Sequence, residues 1–171
     1  MLDAAALREY AHKTLASRAL SAGELREKLR RRAAVKTDIE PIVERLIELG
    51  ALDDTRFAGT FAERRQENRG FGQQRVLRDL QQRKVAPALA AEAVAKVFAG
   101  TDEIKLIEDF LRRKFKKVDL KAYLAEQKHL ASAFRKLRLA GFSSAASIKV
   151  LRRYASAAEE ITEEMADPTG E

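Results

Sequence analysis

Cysteine and tryptophan are absent from the 171 residues, and proline (three) and glycine (eight) are scarce. Without cysteine there is no disulfide framework, thiolate metal site or cysteine nucleophile, which fits a reducing compartment. Few breakers, with 46% hydrophobic and 35% charged residues, point to helices rather than a sandwich or barrel. No apolar run approaches the roughly 18 residues of a membrane span, and there is no signal-peptide core, so a soluble cytoplasmic protein without membrane contact is expected. The two histidines, His12 and His129, lie far apart, and no glycine-rich phosphate loop, metal-ligand spacing or nucleophile setting is present. Enzyme chemistry is therefore the least supported class. No catalytic, cofactor-binding or metal-binding residue is assigned, and no cofactor is expected.

What is abundant is positive charge, unevenly spread. Residues 1–52 hold ten basic against eight acidic residues, 53–99 nine against six, and 100–154 fourteen against six. Residues 155–171 hold six acids and no base, so the net +7 conceals a body at +13. Such a surface attracts a polyanion or an acidic protein groove.

The apolar pattern is helical throughout. Leu7, Tyr10, Ala11, Thr14 and Leu15 trace a first helix ending near Arg18. Ser21 and Glu24 form a capping box for a second, with Leu20 and Leu25 as its staple, and Arg30, Arg31 and Arg32 load its C-terminal end. Thr37 to Glu40 reads as another capping box, opening a third helix with Ile39, Ile42, Val43 and Leu46 that Gly50 stops. Asp53-Asp54 cap a fourth helix, Pro87 suits the first turn of the sixth, and Thr101-Asp102-Glu103 opens the seventh. Residues 119–140 fit one long helix or two. Ser143 caps a last helix containing Ile148 and Leu151. The end of the acidic tail is expected to be disordered.

Between them lies the stretch from Asp53 to Lys84. Phe57 and Phe61 share a helix face, Arg64, Arg65 and Arg69 follow, and Gly70-Phe71-Gly72 breaks the chain. In the fifth helix, with each residue turned about 100° from the last, Val76, Leu77 and Leu80 fall on one side and Arg75, Arg78 and Gln82 nearly opposite. The row of guanidinium groups suits recognition, although an ordinary solvated helix face accounts for the same pattern. Arg65 projects toward the Phe57 and Phe61 side and reads as structural.

Superposing the helices discloses a repeat. Leu25/Leu29, Val76/Leu80 and Phe134/Leu137 occupy equivalent places in the middle helices, followed at equal distance by Ala33, Lys84 and Gly141. The expected fold is all-α: three tandem three-helix, helix-turn-helix-like repeats in an elongated, curved array, each too small to fold alone. The boundaries are 1–52, 53–100 and 101–154, with the acidic C-terminal tail at 155–171.

The order of these motifs resembles the RecX family, bacterial modulators of the RecA recombinase. The likeness is carried by D-D-x-R-F-A from Asp53, the Arg64/Arg65/Arg69 cluster, and G-F-G-Q-Q-R-V-L-R-D-L-Q-Q-R-K-V from Gly70 to Val85. The first repeat adds S-x-x-E-L-x-x-K-L from Ser21 and L-x-E-L-G-x-L-D-D from Leu46, and the third adds Leu137 to Phe142. Departures are Ala33 and Lys84 where the family usually has glycine, and Asp79 where it has glutamate. The resemblance covers roughly residues 7–154. It implies binding to the RecA–single-stranded DNA filament, in its groove or at its ends, by a monomer that suppresses ATP hydrolysis, strand exchange and coprotease activity. The setting so implied is recombination regulation, DNA repair and the SOS response.

The partner-binding residues expected on this reading are Arg64, Arg69, Arg75 and Arg78, then Arg31, Arg32, Arg112, Arg113, Lys116 and Lys117. Arginine forks suit carboxylates and phosphates alike. The rival is direct helix-turn-helix binding to single- or double-stranded DNA. It is weakened because residues 73–84 lack asparagine and because aromatic residues for stacking are sparse and scattered. A plain helical interaction scaffold is the third option.

Overall fold

Local capping explains where most helices begin. The structure, a computed structural model, describes residues 1–155, and the acidic tail lies otherwise outside the described residues. Ten α-helices follow in order: α1 (Ala4–Ser17), α2 (Ala22–Arg30), α3 (Ile39–Glu48), α4 (Asp54–Arg69), α5 (Gln73–Gln82), α6 (Pro87–Phe98), α7 (Glu103–Lys114), α8 (Leu120–Leu124), α9 (Gln127–Leu139) and α10 (Ser144–Leu151). Among the described residues there is no strand, only an isolated parallel bridge between Leu2 and Ala33. The fold is all-α in tandem three-helix order, with α8 inserted between the first two helices of the third set.

Asp3, Ser21, Asp102, Asp119 and Ser143 each accept from a backbone N–H of the helix that follows, and Ser21 and Glu24 complete the expected capping box. One cap differs from expectation. Residues Lys36–Asp38 form a 3-10 turn running directly into α3, and Asp38 stays helical with no side-chain cap bond. The turn supplies its own acceptors, Val35 O to Asp38 N–H and Lys36 O to Ile39 N–H, so the chain is already helical where a box at Thr37 needs an extended residue. Residues 119–140 resolve into two helices, because Glu126 is extended and breaks them.

The chain packs as two units that do not follow repeat boundaries. The first joins residues 1–63 to 77–97; the second joins 64–76 to the chain from Phe98 onward. In the first, Leu7, Leu25, Leu29, Val43, Leu46 and Leu52 centre a core whose members are almost wholly buried. In the second, Ile107, Leu111, Leu124, Phe134, Leu137, Phe142 and Leu151 do the same. Burying a large apolar side chain contributes about 1.5–3 kcal/mol, so these two clusters outweigh any surface ion pair.

The turns after the three middle helices are built alike. In the first unit the Arg32 carbonyl accepts from Leu2 N–H at 2.7 Å, and the Arg83 carbonyl accepts from the Ser21 hydroxyl. In the second, the Ala140 carbonyl accepts from Gly72 N–H at 2.8 Å. Close backbone approach accompanies the last two: a Cβ on Gly23 would lie 2.4 Å from the Lys84 carbonyl oxygen, and one on Gly72 would lie 2.5 Å from Gly141. Lys84 has φ +60°, the one non-glycine positive φ among the described residues, and Gly141 has φ +93°. Ala33 needs no such conformation, because its turn closes on Leu2 instead. The two non-glycine departures are thus resolved differently, one by left-handed backbone and one by another turn.

Candidate partner-binding surface

In the first unit α2 ends in the cations anticipated there. Arg31 pairs with Glu27 at 2.5 Å, one helical turn back, and the Arg32 guanidinium lies 4.7 Å from the centre of the Tyr10 ring. Together with Lys28 they border a cleft of about 410 Å³ beside Leu2. Arg78 is exposed on α5.

The second unit holds the remaining expected residues. Arg64 and Arg69 are exposed on the last turns of α4. At the end of α7, Arg112 pairs with Asp109 at 3.1 Å, and Arg113 lies over Gly70, where a Cβ would sit 2.8 Å from its Cζ. Arg112 and Arg113 line a cleft of about 560 Å³ with Gln66, Thr101, Asp102 and Lys105. Lys116 and Lys117 follow on the exposed turn. Arg64, Arg69, Arg78, Lys116 and Lys117 have no ion pair or hydrogen bond through their side chains among the described residues.

Arg75 departs from the expectation that it faces solvent as a free fork. It is half-buried, its guanidinium sits 5.1 Å from the Phe71 ring centre, and Nη1 donates to the Leu139 carbonyl at 3.3 Å. The turn at Gly141 brings α9 against the start of α5, and this supplies the acceptor. Arg65 is half-buried as expected of a structural residue, 5.9 Å from the Phe71 ring.

Two groups were not singled out from sequence. Arg83 makes a bidentate pair with Glu24 (2.7 and 3.0 Å) and lies over the Phe57 and Phe61 rings at 4.9 and 5.4 Å. Asp54, read as a cap for its own helix, reaches Ala22 N–H of α2 at 2.7 Å, leaving Asp53 to cap α4 through Arg56 N–H. The other group is a stack of Phe115, Tyr123 and His129, with neighbouring ring centres 5.2 and 4.0 Å apart. Beside it the Glu126 carboxyl is held below its usual range by the Lys128 ammonium, with a further contribution from His129.

Comparison with known proteins agrees with this architecture. Residues 53–94 match the second three-helix domain of RecX. A protein named regulatory protein RecX from Halorhodospira halophila is 39% identical over 52% of this chain, a match spanning 55% of that protein's length. Its counterpart in Pseudomonas putida is 34% identical over 64% of this chain and 75% of its own. The crystal structure of RecX from Lactobacillus salivarius shares the fold, with a TM-score of 0.66 at 16% identity over 88% of this chain and 96% of that one. On the extent and identity of these matches, the chain belongs to the RecX family of regulatory proteins.

Proposed function

We propose that this protein binds the RecA–single-stranded DNA filament, in its groove or at its ends, and inhibits ATP hydrolysis, strand exchange and coprotease activity. The observation that carries the reading is the set of uncommitted cations: Arg64, Arg69, Arg78, Lys116 and Lys117 are exposed and have no internal counter-charge among the described residues. An exposed guanidinium that balances no acid of its own chain is available to a carboxylate or phosphate of a partner, with little reorganisation. Family membership supplies the kind of partner, and the +13 body supplies long-range attraction.

Inhibition by occupancy needs no turnover. It is stoichiometric along the groove or concentrated at filament ends, and repeated units touching neighbouring RecA subunits gain from effective concentration. The test is co-sedimentation with RecA filaments, with naked single-stranded DNA run in parallel, alongside RecA-dependent ATP hydrolysis. Wild type should co-sediment with filaments and lower hydrolysis, and the triple variant Arg64→Glu, Arg69→Glu, Arg78→Glu should do neither while keeping its helical circular dichroism. A triple variant that inhibits as well as wild type would refute this assignment. So would a wild type that lowers hydrolysis only by stripping free DNA, which would favour direct DNA binding.

A further inference from the structure

Aromatic residues that are scattered in sequence come together in the second unit. Phe115 follows α7, Tyr123 lies on α8 and His129 on the first turn of α9. The Tyr123 and His129 rings are parallel within 6° at 4.0 Å, and Phe115 leans on Tyr123 at 42°. All three are half-buried, and 27% of the His129 side chain is open to solvent. His129 ends the series: Tyr123 is its one ring neighbour among the described residues, and its imidazole is the member placed to take a further ring. Its plane is fixed, because Nδ1 lies 3.1 Å from the Tyr123 carbonyl. That oxygen can only accept, so Nδ1 carries the proton.

The surroundings are strongly cationic. Between Arg112 and Arg138 there are ten basic residues and two acids. Asp119 is committed to capping α8, and Glu126 is paired with Lys128 at 3.0 Å. Lys136 sits 5.2 Å from the Phe115 ring centre, and Lys116 and Lys117 follow that residue directly in the chain. An acidic protein would use these cations but has no need of an ordered, part-exposed ring beside them. A single-stranded nucleic acid uses both, since every base has a π-face and every nucleotide a phosphate.

We propose that the Phe115–Tyr123–His129 stack is a nucleobase-stacking site for single-stranded nucleic acid, with the incoming base continuing the series on His129 and Lys116 and Lys117 holding phosphates. The site requires no protein partner. Its failure would leave filament binding standing, and failure of filament inhibition would leave the stack standing.

The experiment measures binding of the full chain, by fluorescence anisotropy, to a 15-nucleotide oligothymidine and to an abasic strand of equal length and charge. Wild type should bind the oligothymidine at least about fivefold more tightly, the lower end of what stacking one base contributes. His129→Ala should remove most of that preference and leave abasic binding unchanged, whereas Lys116→Ala combined with Lys117→Ala should weaken both strands alike. Photocrosslinking with a 5-iodouracil strand, which needs no variant, should label the peptide containing Tyr123 and His129. Equal binding of the two strands by wild type, an unaltered preference in His129→Ala, or crosslinks confined to other peptides would each overturn the assignment.

Discussion

Replacing Arg83 with methionine removes a charge from a densely connected polar position of the first unit while retaining a stem of similar length. The guanidinium donates twice to Glu24, once to the Ala19 carbonyl at 3.3 Å, and covers two phenylalanine rings. Losing charge-assisted hydrogen bonds costs about 1.5–3 kcal/mol, and each lost cation–π contact about 0.5–1 kcal/mol. The methionine stem recovers part of the ring contact, and Arg18, 3.5 Å from Glu24, takes up part of the stranded charge. Breaking a fully buried pair costs about 3–5 kcal/mol. Here the partners are 26% and 14% exposed, which places the loss at about 2–3 kcal/mol. At roughly 2–4 °C per kcal/mol for a chain of this length, Tm should fall by about 5–10 °C. Thermal and urea unfolding followed by circular dichroism measure this, and a cycle with Glu24→Gln should give a coupling above about 1 kcal/mol. Arg83→Lys should recover only part, since an ammonium cannot make the fork. A cost below about 0.5 kcal/mol, or additive single changes, would refute the reasoning from geometry to stability.

Lys84→Gly should raise stability by about 0.5 kcal/mol in urea, because relief of left-handed backbone slightly exceeds the entropy that glycine loses on folding. Gly141→Ala should cost more than about 3 kcal/mol, since its Cβ would lie 2.2 Å from Arg75 N at a φ of +93°. Gly50→Ala, at φ +66° in open space, should cost only about 1 kcal/mol, and equal losses at both sites would discard the steric argument. Deleting residues 157–171 removes six acids and no base. It should tighten binding to random single-stranded DNA at low salt, and the gain should vanish at high salt; salt-independent affinity would remove the electrostatic reading.

Helix starts were legible at Ser21, Asp102 and Ser143, because the cap is a short-range chemical pattern, whereas the Asp3 and Asp119 caps went unread. Thr37 misled because a 3-10 turn offers the same composition with different partners, and composition does not report backbone angles. The repeat was legible because core positions recur at constant register along the middle helices. The candidate surface divides in the same way. Exposed cations such as Arg64 and Arg78 follow from helical phase alone. Arg75 does not, because its acceptor is Leu139, 64 residues away. The Phe115, Tyr123 and His129 rings lie after α7, on α8 and on α9, so no single helical phase relates them, and only the bends on either side of α8 bring them together.

The shared carbonyl of the middle-helix turns works as a socket whose plug is interchangeable. A serine hydroxyl fills it at Arg83, a glycine amide at Ala140, and the amide of Leu2 at Arg32. In the first repeat, then, the backbone of Leu2 stands in for the start of a whole helix, with Ala34 N–H returning a second bond to the Leu2 carbonyl at 2.8 Å. Leu2 is therefore a structural part of that turn. Its register against Arg32 and Ala34 is fixed by backbone atoms, while the Leu2 side chain packs on the core and the Asp3 carboxylate caps α1. A single residue deleted between Leu2 and α1 would unplug the socket even if every side chain of the core were retained.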